Sequence, residues 1–259
     1  MRRRMHSTLA VIVMAGFAVQ IFGQIGAPHP KPRQPQWTLQ IYTAEFKDTR
    51  VQTLANGTTI TRETSSTQAK DAQGRFVTMT TQQRDGQAFI TNAHVDDPVA
   101  GTSTDWSSQS KRATIVKLPP DDQRRGCWTS PAGHQTIDYG PRSQDLPAPV
   151  VPAGPNQHEK PVYEDLGTMT ILGIEVHGQR STMTTPAGAA GNDQPLVTTT
   201  ENWGAKGYPF QLRRLRDDPR QGKEDRELVK LDQGEPDASL FQPPEGYEIV
   251  TDEMVPCKQ

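Results

Sequence analysis

The sequence predicts an all-β (mainly β) protein: a single antiparallel, curved meander sheet with a long Pro-rich insertion and at most one or two short helices. Three observations support this class. Short segments rich in Thr, Val and Ile recur with partial period-two alternation, turn sequences separate them, and no stretch has the length and apolar spacing of a core helix. Consecutive strands joined by tight turns pair antiparallel, so crossover helices are not expected.

The chain begins with the pattern of a secretory signal. Three arginines at positions 2–4 precede an uninterrupted apolar run from Leu9 to Val19, and small residues follow from Gly23. The apolar segment covers about 21 Å as a helix, short of a hydrocarbon core of about 30 Å. We therefore expect residues 1–23 to be a cleaved signal peptide that leaves no stable membrane anchor, and the mature protein to be exported to the periplasm or the extracellular space.

A Pro-rich N-terminal tail, residues 24–36, leads into a first β block over residues 37–118. Within this block Asn56-Gly57 predicts a type I′ hairpin turn, and further reversals are expected at 73–74, 85–86 and 97–101. The strands are expected over residues 38–46, 58–65, 75–82, 88–95 and 112–118.

Residues 119–161 carry nine prolines, four glycines and few large apolar side chains. Such a segment buries too little surface to repay its ordering entropy, so we predict a long exposed loop or linker. A second β block of the same sheet, residues 162–250, and a C-terminal tail, 251–259, complete the chain. The strands of this block are expected over 168–171, 174–184, 196–203, 210–216 and 226–231, with short helical turns over 235–241 and 161–165.

Charge and composition argue against a nucleic-acid partner. Removing residues 1–23 takes away three arginines and leaves 25 basic against 30 acidic residues. Apart from Arg213, Arg214 and Arg216 in one expected strand, the mature chain has no basic stripe that would neutralise phosphates.

No group of residues indicates a reaction centre, so we predict a non-enzymatic protein with no catalytic, cofactor-binding or metal-binding residues and no cofactor. The G-x-S-x-G, HExxH and paired CxxC patterns are absent from the sequence. The paired acids at 96–97, 121–122 and 217–218 are predicted to be turn or loop acids, because adjacent strand residues point to opposite faces. We expect structural or surface roles for His94 and His177; the mature chain's other isolated histidines are His29, His134 and His158.

The chain has two cysteines, Cys127 in the Pro-rich segment and Cys257 near the C-terminus. In an oxidising compartment they could form a disulfide that ties the tail to the segment. The alternative is two free thiols or an intermolecular bond.

The second block contains the sequences LGTMTILGIEVHGQRSTMTTPAGAAGND, TENW, DDPRQGK and EPDASLFQPPEGYEI. With these motifs the chain resembles a recurring class of uncharacterised secreted bacterial β-rich proteins that end in the pattern PDxSLFxxPxxYxI. This resemblance implies no activity. More distantly, the element from Phe241 to Gly246 is similar to the closing element of LolA-like lipoprotein-carrier half-barrels. That similarity implies a curved sheet around an apolar ligand.

Three functions follow as hypotheses. The leading one is a secreted or periplasmic non-enzymatic β-sheet protein that acts as a binding or envelope-associated module. The alternative is a half-barrel carrier of a lipid or another hydrophobic small molecule. The second alternative is a hydrolase whose site assembles from residues distant in sequence.

Overall fold

The computed structural model describes residues 40–84, 87–120, 122–124, 126–131, 136–138 and 160–257. The predicted signal peptide and Pro-rich tail, residues 1–23 and 24–36, lie outside these ranges. Within them no helix is both long enough and apolar enough to span a membrane. The chain forms these strands: β1 (Tyr42–Thr53), β2 (Thr59–Lys70), β3 (Phe76–Arg84), β4 (Gln87–Asp97), β5 (Thr102–Ser107), β6 (Arg112–Lys117), β7 (Cys127–Thr129), β8 (Thr136–Asp138), β9 (Val162–Ile171), β10 (Ile174–Thr185), β11 (Leu196–Gly204), β12 (Gln211–Asp218), β13 (Gly222–Asp232), β14 (Glu248–Glu253) and β15 (Val255–Pro256).

Twelve strands form one open sheet in the order β14-β6-β5-β4-β3-β2-β1-β13-β12-β11-β10-β9. The predicted all-β class with one large sheet is confirmed. Strands that are consecutive in sequence are neighbours within β1 to β6 and within β9 to β13, and antiparallel pairing of β1 with β13 joins the two series. This pairing brings residues from the first and last parts of the chain side by side.

The expectation of a wholly antiparallel sheet is wrong at one edge. Strand β14 pairs with β6 in parallel, with Glu248 opposite Arg112 and Glu253 opposite Lys117. Parallel strands need a connection of about a dozen residues or more, and the chain between β6 and β14, residues 118–247, is far longer than that. Part of that connection is a 3₁₀ helix, Ala238–Phe241, inside the segment where a helical turn was predicted.

Several elements differ from the sequence-based expectation. A helical turn over 161–165 is wrong, because β9 covers Val162 onward and pairs with β10, for example Val162 with Thr182. Strand β5 was not expected, nor were β7 and β8 within the Pro-rich segment. Strand β5 pairs with β4 and β6, and β7 pairs with β8 and with the distant β15. Pairing with neighbouring strands stabilises these short segments, whose own sequence patterns are weak.

The hairpin between β1 and β2 forms at Asn56-Gly57, but its turn is not type I′. A type I′ turn needs positive φ at both central residues, whereas only Gly57 has it, at 82°. The Gly57 N–H donates to the Leu54 carbonyl at 2.9 Å and the Leu54 N–H to the Thr58 carbonyl at 2.8 Å. This is the longer hairpin loop, in which one left-handed residue restores the pairing of the strands.

Apolar side chains are buried on both faces of the sheet. On β1, Tyr42, Ala44 and Phe46 alternate on one face, called here the Phe46 face, and belong to a cluster with Leu212 and Leu228. The cluster on the other face consists of Ala69, Val77, Val95 and Phe241; because Ala69 lies opposite Thr43, it lies on the face away from Phe46. Phe241 thus attaches the 3₁₀ helix to the sheet.

A disulfide joins Cys127 and Cys257 across a sequence separation of 130 residues. It lies where β15 pairs with β7, and the Cys257 N–H also donates to the Cys127 carbonyl at 2.9 Å. The C-terminal segment is therefore fixed by a covalent bond to residues that precede the whole second block.

Candidate functional site

A cavity of about 1160 Å³ lies on the Phe46 face of the sheet. The same alternation that buries Tyr42, Ala44 and Phe46 places the next side chains of that face, Asp48 and Arg50, along its wall. The remaining described lining residues come from β1, β2, β3, β12 and β13. They are Thr49, Ile60, Thr61, Arg62, Glu63, Thr64, Ser66, Thr80, Gln82, Gln83, Arg214, Arg216, Glu224, Asp225 and Arg226. The lining is thus dominated by charged and hydroxyl side chains.

Strand register arranges the charged residues in two rows. In the first row Arg216, Glu224, Arg50 and Arg62 lie opposite one another on β12, β13, β1 and β2. Directly opposite residues share a face, so the row is continuous across four strands.

The second row lies two residues further along each strand. It runs from Arg214 on β12 through Arg226 on β13 and Asp48 on β1 to Thr64 on β2. Each row therefore contains one pair of arginines in directly opposite positions, Arg50 with Arg62 and Arg214 with Arg226. Like charges in such positions destabilise a sheet.

Carboxylates at the centre of the cavity neutralise two of the five lining arginines. The Arg226 Nη1 atom donates to both oxygens of Asp48, at 3.1 and 3.2 Å, and its guanidinium carbon lies 4.2 Å from the centre of the Phe46 ring. Arg50 Nε lies 3.4 Å from Glu224 Oε1 and donates to the Gln221 carbonyl at 3.3 Å. These arginines are held in place by contacts within the protein.

The two remaining lining acids are engaged by cations that do not line the cavity. Glu63 pairs with Lys47 at 2.8 Å, and Asp225 pairs with Arg213 at 2.6 Å. Five guanidinium groups therefore share the cavity with two carboxylates that face them, so the site carries an excess of positive charge.

Arg62 and Arg214 are exposed, and their guanidinium groups make no hydrogen bond or ion pair with any residue that the structure describes. Unpaired guanidinium groups have five N–H donors in a planar fork, which suits carboxylate, phosphate and sulfate groups. These two residues are the principal candidates for ligand contact.

Arg216 is held at the edge of the site by a buried carboxylate. Asp218 accepts from Arg216 Nη2 at 3.0 Å and from the Arg220 side chain at 3.1 and 3.2 Å. The hydrogen bond from Arg220 lowers the pKa of Asp218 well below its usual value, although burial opposes this. Asp218 thus remains ionised and anchors the end of β12.

The residues that sequence analysis weighed for chemistry lie elsewhere. His94 lies between Asp105 and Asp96, at 2.8 and 3.3 Å, and His177 lies 3.0 Å from Asp165. Partial burial acts to lower the pKa of His94, but hydrogen bonding and the charges of its two acidic neighbours outweigh this and raise the pKa above its usual value. Both histidines are half exposed and lie outside the cavity; His29, His134 and His158 lie outside the described residues.

Asp97 and Asp218 each cap a turn at the end of a strand, whereas Asp96 and Asp217 lie within β4 and β12; Asp121 lies outside the described residues. Asp97 accepts from the backbone N–H groups of Val99 and Ala100, each at 2.8 Å, and Asp218 accepts from the Arg220 N–H at 2.9 Å. In the described part of the chain no three His, Cys, Asp or Glu side chains are grouped so that they could hold a metal ion.

Of the five arginines of the cavity, the sequence indicates Arg214 and Arg216 but not the other three. The available signal was the spacing of Arg214 and Arg216, since residues two apart in a strand share a face. Arg50, Arg62 and Arg226 carry no such signal, because only strand register brings them to the same place.

Fold and site together define a β-sheet protein with an arginine-lined cavity. No family model matches the sequence, and a comparison with curated proteins finds no significant match. Solved structures with some likeness include a "putative outer membrane lipoprotein-sorting protein domain" from Vibrio parahaemolyticus, with a TM-score of 0.31 and 12% identity over 77% of this chain and 88% of that one.

Two further solved structures give comparable values. A DUF1329 family protein from Desulfovibrio piger has a TM-score of 0.31 and 10% identity over 79% of this chain and 90% of that one. LprF from Mycobacterium bovis has a TM-score of 0.29 and 12% identity over 80% and 90%. At these TM-scores the likenesses assign neither a ligand nor an activity to this chain.

Proposed function

We propose that this chain is an exported, non-enzymatic binding module that holds an anionic ligand in the arginine-lined cavity. The observation that carries the proposal is that one cavity contains two pairs of arginines in directly opposite strand positions. One arginine of each pair, Arg62 and Arg214, has no partner among the described residues. Such an arrangement costs stability in the free protein, and a bound anion would remove that cost.

The disulfide between Cys127 and Cys257 supports the exported location. Disulfides persist in oxidising compartments such as the periplasm and the extracellular space and are rare in the cytosol. The cavity supports binding rather than turnover, because its described lining residues include no Cys or His. The serine among them, Ser66, donates to Asp48 at 2.9 Å, and Asp48 is already ion-paired with Arg226.

The test uses NMR detection of the arginine Nε–Hε signals while inorganic pyrophosphate is added. We expect saturable shifts of the Arg62 and Arg214 signals that weaken as salt is raised, because exposed charges are screened. The variants Arg62→Gln and Arg214→Gln should each weaken the binding. Arg112→Gln is the matched control, since Arg112 is an exposed strand arginine outside the cavity.

Absence of any saturable shift in the wild-type signals, or equal weakening by Arg112→Gln, would refute the proposal. A separate arm adds vesicles of phosphatidylglycerol to the same sample. Binding to vesicles that is lost in Arg62→Gln would identify the anion as a lipid headgroup, whereas binding to pyrophosphate alone would identify a soluble anion.

The lipid-carrier hypothesis is the second candidate, and the cavity gives it limited support. Ile60 is the only aliphatic side chain among the described lining residues, and it is 37% exposed. Native mass spectrometry of the gently extracted protein tests this alternative. A co-purifying lipid of stoichiometric amount would favour the carrier over the anion-binding module, and a clean protein mass would count against it.

A further inference from the structure

The cavity is larger than a small-molecule site. Sites for drug-sized ligands enclose roughly 300–1,000 Å³, and this one encloses about 1160 Å³ along five neighbouring strands. A ligand that fills it is therefore elongated across the strands.

The charges within the cavity are distributed unevenly along that direction. Arg214 on β12 and Arg62 on β2 are separated by β13 and β1 and lie in different rows, so three strand spacings and a two-residue offset place their backbones about 16 Å apart. Between them lie the carboxylates of Asp48 and Glu224. These carboxylates neutralise Arg226 and Arg50, so the unpaired positive charge lies at Arg214 and Arg62. A ligand with several separated charges therefore fits better than a single compact anion.

Beside and beyond Arg62, on β2 and β3, the lining offers neutral hydrogen-bonding groups. Thr64 and Gln82 lie opposite each other on β2 and β3, and Thr80 follows two residues earlier on β3. Hydroxyl and amide groups both donate and accept, which suits ligand hydroxyls, and the central carboxylates of Asp48 and Glu224 accept from hydroxyls as well.

The lining disfavours the other common classes of elongated anion. Proteins that bind single-stranded nucleic acids stack the bases on aromatic side chains, and none of the described lining residues is aromatic. An acyl chain needs an apolar wall, for which the described lining supplies Ile60 alone. We infer that the ligand is an acidic oligosaccharide that lies across β12, β13, β1, β2 and β3. Its anionic groups contact Arg214 and Arg62, and its hydroxyls contact the central carboxylates and the neutral residues of β2 and β3.

This inference rests on the proposed anion-binding function and adds to it the sugar and its length. The test measures the affinity of the purified protein by isothermal titration calorimetry for galacturonate, trigalacturonate and pentagalacturonate. Fully methyl-esterified pentagalacturonate is the neutral control of the same length, and tripolyphosphate is the anionic control without a sugar.

We expect pentagalacturonate to bind at least about tenfold more tightly than galacturonate, and the methyl ester to lose at least about tenfold, since charge-assisted bidentate contacts are the strong ones. Arg62→Gln and Arg214→Gln should each weaken pentagalacturonate binding several-fold. At least one of these two variants should bind galacturonate nearly as tightly as the wild type does. Arg112→Gln should change neither affinity.

The inference is overturned if the affinity does not increase with oligosaccharide length, if the methyl ester binds as well as the acid, or if tripolyphosphate binds as tightly as pentagalacturonate. Pyrophosphate-induced shifts of the Arg62 and Arg214 signals would still support anion binding in those cases. Loss of those shifts as well would refute the proposed function together with this inference.

Discussion

Replacing Arg62 and Arg214 by glutamine should make the unliganded protein more stable, although it removes the groups proposed to hold the ligand. Each substitution removes one like-charge pair between directly opposite strand residues, Arg62 with Arg50 and Arg214 with Arg226. Such pairs cost about 0.2–1 kcal/mol each. Arg50 and Arg226 each have a carboxylate neighbour, so we take about 0.4 kcal/mol per pair, from the lower half of that range.

The two sites do not share a partner, so their effects should add to about 0.8 kcal/mol. For a chain of this size that corresponds to an increase in Tm of about 2–3 °C. The assay is thermal unfolding at low ionic strength and again at 1 M salt, where a Debye length of about 3 Å screens the repulsion and should abolish the gain.

Two control variants separate this effect from a general effect of losing an arginine. Arg112→Gln should leave the free energy of unfolding within about 0.5 kcal/mol of wild type. Arg226→Gln should lower it by about 1–2 kcal/mol, because it removes both hydrogen bonds to the half-buried Asp48. A double variant of Arg62 and Arg214 that is less stable than wild type at low salt, or a gain that persists at 1 M salt, would refute the reasoning.

Three other predictions concern the scaffold. Asp218→Asn should lower the free energy of unfolding by about 2 kcal/mol at pH 7, because it weakens the charge-assisted hydrogen bonds of a buried carboxylate to two partly exposed arginines. Since the folded pKa of Asp218 is depressed, urea unfolding should show the difference above about pH 4 and lose it as the pH falls through the folded pKa. His94→Gln should lower the free energy of unfolding at pH values below the unfolded histidine pKa of about 6.5, and this loss should vanish as the pH rises through the raised folded pKa of His94. An equal loss at about pH 5.5 and about pH 8.5 would contradict the ion pair with Asp105. Replacing Cys127 and Cys257 together by serine should cost about 3–5 kcal/mol and increase hydrogen exchange in β14, whereas unchanged β14 protection would show that the bond is not what holds this edge.

Local sequence chemistry was sufficient to predict most of the strands but not the edges of the sheet. The segments that became β10 and β11 combine Thr and Val alternation with clear turns, and each prediction agrees with the structure to within one residue at either end. Strand β5 contains one aromatic residue, Trp106, among Thr, Ser and Asp, so its pattern is weak. Strand β14 is short and acidic, and it forms by a parallel pairing that local turns cannot indicate.

The candidate site could be predicted only in part. Arg214 and Arg216 are adjacent on one face of one strand, and the sequence shows this spacing directly. Hairpins pair Arg50 with Arg62 and Arg214 with Arg226, but the position of one pair relative to the other depends on the register between β1 and β13, which lie far apart in the chain. A shift of one residue moves every side chain of a strand to the other face, so no argument from composition or spacing could place them.

A β-bulge at Val229 determines that register for the most important pair of strands. Glu45 lies opposite Lys230, but the next residue, Phe46, lies opposite Leu228, so Val229 is the extra residue on β13. Without it, Thr49 rather than Asp48 would lie opposite Arg226, and Arg226 would point to the other face, away from the cavity. The bulge therefore lets Leu228 pack beside Phe46 while Arg226 reaches Asp48, and the apolar core and the charged cavity form on one face because of a single inserted residue.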